Sequence, residues 1–472
     1  MSQLHNQAKI IADLQEICGK SQIFDDLSLI IPYSTDWRQR YSTPALAVVF
    51  PSSISQIQAV VHYCRCNSLA LIPQGGNTST CGAATPISQL DKPQIIINLA
   101  RLNKIIKLDG ANSSITVEAG CSLEQVQQAA KSIGMYFPLS LASQGSCQIG
   151  GNLATNAGGV QVLKYGMMRD LTLGISAIMA NGEELNQLNA LRKNNTYLDL
   201  KQLLIGSEGT LGIITKATLK LFPQVPGYST FLCSCSSITE ALNLLRQLQQ
   251  SCYGKVSAFE IISHASWELL QRYFPNKQMQ LSGEWLILAE IEMLEAHELL
   301  TLCLEQCGIN LENCIIAQSP TERNLFWSMR EHIPLAEKQH GYAAKHDISL
   351  PLSQIENFLK INKSKLLSVA ANGYFSIFGH LGDGNLHYNF GIANADASSI
   401  VQLEELINPL VYDDVNDLGG SIAAEHGIGQ SKMLWLKRYC DPLSYQIYLQ
   451  LKHTLDPDNL FNPGKVLFYN EP

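Results

Sequence analysis

The stretch Ser143–Gly159, SQGSCQIGGNLATNAGG, holds five glycines among hydroxyl and amide side chains. Core elements seldom look like this, because glycine loses more conformational freedom on folding than any other residue and offers nothing to pack. The composition suits backbone that passes close to a flat ligand. A second such segment, Pro73–Thr80 (PQGGNTST), follows the strand-like run LALIP. It presents successive backbone N–H groups with little side chain in the way, a concavity matched to phosphate oxygens. A pyrophosphate is its natural guest, with an ordinary glycine turn as the bland alternative. No G-x-G-x-x-G occurs, so the dinucleotide fingerprint of a Rossmann unit is absent. The Walker pattern fails as well, since Gly19-Lys20-Ser21 is preceded by Leu14 where the first glycine should stand.

Working outward, residues 45–99 alternate apolar runs (ALAVVF, LALIP, QIIINL) with SISQIQAVVHYCRC, whose spacing predicts a helix capped by Ser55. SITVEAG then reads as a strand, SLEQVQQAAKSIG as a capped helix ending at Gly134, and LGISAIMANGEEL and LGIITKATLKLFP as strands, with a hairpin turn at Asn181-Gly182. The Pro/Gly-rich PQVPGYST marks a boundary near Pro223. Beyond it KVSAFEIIS, EWLILAEIE and YFSIFGHLGDGNLHYNF interleave with helical stretches, the pattern of an antiparallel α+β domain.

A chain of 472 residues exceeds what one hydrophobic core supports. Its net charge of -8 argues against nucleic-acid binding, which needs a basic stripe. Thirteen cysteines with two C-x-C pairs and no C-x-x-C imply reduced thiols and a cytoplasmic setting. The N-terminal residues read as a short amphipathic helix rather than a secretory or transit peptide. No apolar run is long enough to span a bilayer, so any membrane contact is expected to be peripheral.

Gly379–His387 (GHLGDGNLH) sets His380 and His387 on either side of a glycine turn, and Glu425-His426 adds a carboxylate and a third imidazole. Such ligands suit zinc or another divalent ion, and three of them leave a position open for substrate. On these residues alone, structural histidines are the readier reading. The same holds for Arg330 and Lys345, which on composition alone a solvated surface pair explains more readily than a carboxylate grip does.

Together PQGGNTS, IGGNLATNAGG, IGSEGTLGIIT, GHLGDGNLHYN, EHGIG and FNPGK occur in an order and spacing that resemble the FAD-linked D-lactate and D-2-hydroxyglutarate dehydrogenases of the vanillyl-alcohol-oxidase-type superfamily. The resemblance covers nearly the whole chain. It implies an α+β protein with an N-terminal helical segment (1–40), a two-subdomain FAD-binding unit (41–223), a substrate or cap domain (224–420) and a C-terminal segment (421–472) returning to the flavin. By position, Pro73, Gly75, Gly76, Asn77, Thr78, Ser79, Ser143, Gln144, Gly145, Gly150, Gly151, Thr155, Asn156, Gly158, Glu208, Gly209, Ile214 and Asn462 are implied to hold FAD. Asn77 stands where covalent flavin-binding members carry histidine, so non-covalent FAD is expected.

The same resemblance implies His380, His387 and Glu425 as ligands of a divalent ion (zinc, with manganese or cobalt as alternatives). It implies His426 as the base that also contacts substrate, and Arg330, Lys345 and Asn389 as substrate-binding residues. A guanidinium fork and an ammonium can grip a carboxylate remote from the reacting carbon, a need of a diacid but not of lactate. Pro334 stands where some members place a hydroxyl residue in that grip, and it has no donor. The implied reaction is oxidation of a D-2-hydroxy acid, D-2-hydroxyglutarate to 2-oxoglutarate, with D-lactate or glycolate as alternatives. A reading of another class is a non-catalytic flavin-binding subunit of an oxidase complex; the presence of every chemical residue favours the enzyme. No haem-attachment or iron–sulfur cysteine pattern occurs. Electrons are therefore expected to leave to a separate electron-transfer flavoprotein, quinone or cytochrome, and a homodimer is compatible.

Overall fold

The computed structural model describes residues 2–277, 281, 283–294 and 296–469. The chain divides into two compact units, Met1–Gly158 with Met167–Gln224 and Glu425–Pro472, and Gly159–Gly166 with Val225–Ala424. The first unit therefore draws on three stretches of chain, and its last stretch begins at Glu425.

In the first unit a four-stranded sheet runs in the order Ile23–Phe24, Ala47–Val49, Gln94–Asn98, Ala70–Gln74, with its last three strands parallel. Parallel neighbours need a crossover. The helix Ile54–Cys66 supplies it between Ala47–Val49 and Ala70–Gln74. Ile95 and Ile97 face one core with Ile57, Val61 and Cys64, while Ile96 between them faces a second with Ile30 and Phe50. A sheet buried on both faces thus reads as a continuous apolar run, QIIIN. The cap of that helix is Ser53, whose hydroxyl accepts from Gln56 N. Helical geometry begins at Ile54, so the expected Ser55 lies inside the first turn.

A five-stranded antiparallel sheet (Ile105–Asp109, Ser114–Glu118, Ile213–Lys220, Thr172–Ile178, Glu184–Gln187) completes this unit. Its helix Leu123–Lys131 carries a full capping box between Ser122 and Gln125. The C-terminal tail adds to the edge of Ala70–Gln74: Leu71 N donates to Leu460 O at 2.8 Å and Asn462 N to Leu71 O at 2.8 Å. Asp456 anchors it, fully buried, accepting from Leu460 N, Phe461 N and the Lys452 ammonium at 2.9, 2.8 and 2.5 Å.

The second unit is built on one seven-stranded sheet in the order Cys314–Ile316, Ser229–Cys235, Trp285–Ile291, Val256–Ser263, Gly373–His380, Asn385–Ile392, Ala343–Ser349. Every neighbouring pair is antiparallel. Side chains alternate between faces. Tyr388 and His346 therefore lie on one face, against Phe358 and Tyr412 of the helices Ile355–Val369 and Ala397–Asp417, with ring centroids 5.0 and 5.4 Å apart. The opposite face meets Pro320–His340, whose Phe326, Met329 and Ile333 share a core with Ile262, Leu286, Leu288 and Phe378. Among the described residues no helix is long and apolar enough to cross a membrane. All thirteen cysteines are free.

Candidate active site

A cavity of about 490 Å³ opens in the first unit. Its wall includes Pro73, Gly75, Gly76, Asn77, Thr78, Ser79, Ser143, Gly150, Gly151, Thr155, Gly158, Glu208, Gly209 and Ile214, all assigned to FAD from the sequence. Gln144, Gly145, Asn156 and Asn462 do not line it. Asn156 and Asn462 stand behind the wall instead: Asn156 Oδ1 accepts from Arg169 N at 2.9 Å, and Asn462 Nδ2 donates to Glu208 O at 2.7 Å. Gln144 and Gly145 sit on an exposed turn.

The glycine loop after Ala70–Gln74 is held from beneath. Gln74 donates to Tyr33 O and Ala84 O, each at 2.8 Å, and Asn98 donates to Gly75 O at 3.0 Å. Glycine is required at 76, because a Cβ there would lie 1.9 Å from Ser146 O. At 151 the reverse is true: a Cβ would meet nothing within 4 Å, since the position faces the cavity. Asn77, Asn156, Glu208 and Asn462 all adopt left-handed backbone with φ between 43° and 53°. Such residues cost energy and gather where a site over-determines them.

FAD fits this wall on a direct observation. Asn77, Thr80 and Gln148 line the cavity, and a buried oxygen of each (Oδ1, Oγ1 and Oε1) has no hydrogen-bond partner among the described residues. Buried polar atoms are rarely left so, and a ligand rich in donors and acceptors would satisfy them. Thr80, Gln148 and Trp37, whose side chain stands largely exposed at the rim, were not singled out by the sequence.

Glu425 and His426 line the same cavity, with Glu425 Oε1 and His426 Nε2 3.8 Å apart. The glycines that follow explain the placement. Buried Glu208 accepts from Ile428 N at 2.7 Å and Gly429 N at 2.9 Å, and a Cβ at Gly427 would strike that carboxylate at 2.8 Å. Burial raises the Glu208 carboxyl above its ordinary range, against the pull of those two amides. Lys465 lies beside it, donating to Ala83 O and Asn462 Oδ1 at 2.9 Å each, and burial pushes its ammonium down to about 7.

The remaining candidates belong to the second unit and share one sheet face. Register pairs Lys345 with Asn389, Asp347 with His387, His387 with Phe378, and His380 with Glu260. Buried Glu260 is central. Its Oε2 accepts from Arg330 Nε at 2.7 Å, and its Oε1 takes a short hydrogen bond from His380 Nδ1. Burial raises the Glu260 carboxyl, but the charges of His380 and Arg330 outweigh it and leave it below the ordinary range. The Arg330 guanidinium also lies over Phe378, 4.7 Å from the ring centroid. Glu337, equally buried, accepts from Asn389 Nδ2 and pairs with Lys345 Nζ, both at 2.8 Å. Both of the expected substrate cations thus already have a carboxylate partner. Asp347 stands 4.0 Å from His387 Nδ1, and burial raises Asp383, in the turn between the histidines, to about 6.

Three sets of relatives match this architecture. The family described as "FAD linked oxidases, C-terminal domain" matches residues 228–466, and "FAD binding domain" matches 45–186. D-2-hydroxyglutarate dehydrogenase, mitochondrial, of Arabidopsis thaliana is 33% identical over 98% of this chain and 82% of its own length. The Bos taurus protein of that name is 33% identical (94% and 81%), and D-2-hydroxyglutarate dehydrogenase of Xanthomonas citri pv. viticola 32% (92% and 92%). Among solved structures, p-cresol methylhydroxylase with substrate bound aligns at a TM-score of 0.79 with 15% identity, covering 98% of each chain. The 4-ethylphenol oxidase of Gulosibacter chungangensis aligns at 0.74 with 13% identity, over 99% of this chain and 98% of the other. These last two speak for the fold, which is the expected α+β architecture of the vanillyl-alcohol-oxidase type.

Proposed function

The chain belongs to the FAD-linked D-2-hydroxy-acid dehydrogenases and is an FAD-dependent oxidoreductase; from that premise we propose that it oxidises D-2-hydroxyglutarate to 2-oxoglutarate with non-covalent FAD and a divalent ion. The observation that carries the diacid reading is Arg330. Its Nε is tied back to Glu260 and its face rests on Phe378, while its two terminal nitrogens have no protein partner among the described residues. That is a guanidinium fork pre-set for a carboxylate.

In this reading His380, His387 and Glu425 hold the ion, and Asp347 steadies His387. When bound, the flavin supplies a two-electron acceptor and the ion supplies positive charge at the substrate's hydroxyl. The chain's own residues do the rest. Arg330 and Lys345 grip the distal carboxylate, Asn389 holds the carboxylate beside C2, and His426 takes the hydroxyl proton as C2 gives up its hydride. An imidazole suits that task because it titrates near neutrality. Zinc, manganese and cobalt all accept this nitrogen and oxygen set. No haem-attachment or iron–sulfur cysteine pattern occurs in the chain, so the final electron acceptor would be a separate molecule.

A second reading, a short monoacid such as D-lactate or glycolate, draws support from Pro334, which brings no donor to the grip, and from the Lys345–Glu337 pair. Arg330→Met separates the two. For a diacid enzyme the variant raises KM for D-2-hydroxyglutarate by about 10–100-fold, the worth of one charged hydrogen-bonded contact, while turnover of D-lactate hardly changes. Equal effects on both substrates contradict the diacid reading.

A further inference from the structure

Glu260 lies in the strand Val256–Ser263, in a run of buried residues (VSAFEIIS) where a carboxylate has no ordinary place. It touches neither the expected reacting atoms nor solvent. A buried carboxylate persists only when its oxygens are matched by charged donors. Here each oxygen has one, and the two donors are the residues on which different parts of the reaction depend. They come from positions 70 and 120 residues away in the chain.

We propose that Glu260 is a positioning residue that couples metal affinity to recognition of the substrate's distal carboxylate, because one carboxylate orients both the ligand His380 and the fork of Arg330. This rests on the metal and diacid reading above. The geometry supplies the reason. With Nδ1–H donated to Glu260 Oε1, the His380 imidazole is held in the tautomer that presents Nε2 as a lone pair, the form that ligates. With Nε donated to Oε2, and with Phe378 beneath, the plane of the Arg330 guanidinium is fixed and its terminal edge is aimed as a unit. A shift of the carboxylate toward one partner is a shift away from the other. Glu337 repeats the device for Lys345 and Asn389, neither of them an expected ligand, and so provides an internal control.

Glu260→Gln tests the coupling. An amide has one oxygen and one N–H₂ group where two acceptors are needed, so it can serve His380 or Arg330 but not both. Cobalt affinity of the metal-stripped, flavin-loaded enzyme, read from the visible absorption of bound Co²⁺, is expected to fall about 10–100-fold, as for other outer partners of metal-bound histidine. KM for D-2-hydroxyglutarate should rise by a similar factor, whereas KM for D-lactate, which has no distal carboxylate, should not. In an Arg330→Met background the KM effect of Glu260→Gln should vanish while the cobalt effect persists. Glu337→Gln should raise KM and leave cobalt affinity unchanged. Should Glu260→Gln fail to fold, Glu260→Asp keeps the charge but is too short to reach both partners, and at least one of the two effects should appear. Unchanged cobalt affinity and unchanged KM in either folded variant overturn the coupling, as does an equal loss of cobalt in Glu337→Gln. Wild-type enzyme that binds no cobalt overturns the metal reading itself, a result distinct from the others because it appears before any substitution is made.

Discussion

The glycine-lined cavity of the first unit and the charged sheet face of the second are built by opposite means. The cavity is made by leaving side chains out: Gly76 lets two backbones nearly touch, Gly151 leaves open space, and one side-chain oxygen each of Asn77, Thr80 and Gln148 is unmatched among the described residues. The sheet face is made by putting charge in. Glu260, Glu290 and Glu337 are buried and each receives donors from Pro320–His340, a neighbouring strand, or both. Along that helix Arg323, Arg330 and Glu337 recur every seven residues, which keeps them on one side. One region therefore leaves side-chain oxygens in its wall unmatched, and the other holds carboxylates that each already accept a donor.

That contrast can be broken at single residues. Gly76→Ala should be the most damaging, because its Cβ would sit 1.9 Å from a backbone carbonyl that cannot move without opening the cavity wall. A loss of more than about 4 kcal/mol is expected, seen as a protein that purifies without flavin and unfolds early in urea. A stable, yellow Gly76→Ala protein would refute the tight-approach account. Next comes Arg323→Met. It strips the bidentate partner (2.6 and 2.9 Å) from buried Glu290, leaving Trp327 and Thr230 as donors. The cost should be about 2–3 kcal/mol in urea midpoints, less than for a fully buried pair because Arg323 is partly exposed, with FAD affinity unaltered.

Gly151→Ala should act with opposite signs on the two quantities. The position lies in the helix Ile149–Ala154 with nothing near its added methyl, so the apoprotein should gain about 0.5–1 kcal/mol. The methyl intrudes into the cavity, so FAD should bind more weakly; titration of the apoprotein checks this, and tighter flavin binding would place the cofactor elsewhere.

The smallest effect is one of pH. Lys465, pushed down to about 7 by burial, has an unfolded value near 10.4. Between those values the unfolded chain binds more proton than the folded one, so this residue's penalty is fully present below about pH 7 and relieved as pH rises toward 10. The stability of apo wild-type relative to Lys465→Met should rise over that window, by at most about 1.4 kcal/mol per pH unit. Glu208, whose carboxyl burial raises, faces the same ammonium and limits the slope. A flat difference would mean the ammonium is comfortably charged throughout.

The same contrast explains what the sequence revealed. Backbone that walls a cavity is written locally, in glycine runs such as PQGGNTS, so most of the expected FAD residues do line it. Asn156 and Asn462 were read as cofactor contacts, yet they support the wall from behind. Side-chain amides in such motifs can serve the backbone as well as the ligand, and spacing does not tell the two apart. The antiparallel second domain was legible from alternating strands and turn residues. Its charged face was not. Glu260 reaches Arg330 and His380 across 70 and 120 residues, and Glu337 reaches Asn389 across 52. Its one sequence signal was a lone glutamate in an otherwise apolar strand. Trp37 escaped because a tryptophan in a polar loop has no periodicity to announce it.

The most direct test of the central claim is anaerobic addition of D-2-hydroxyglutarate to the flavin-loaded enzyme, with the visible absorption of oxidised flavin followed before and after removal of divalent metal. The account predicts rapid bleaching by D-2-hydroxyglutarate in the metal-replete enzyme, weaker bleaching by D-lactate, and none after metal is stripped while flavin stays bound. Undiminished bleaching without metal, or bleaching by D-lactate alone, would contradict it.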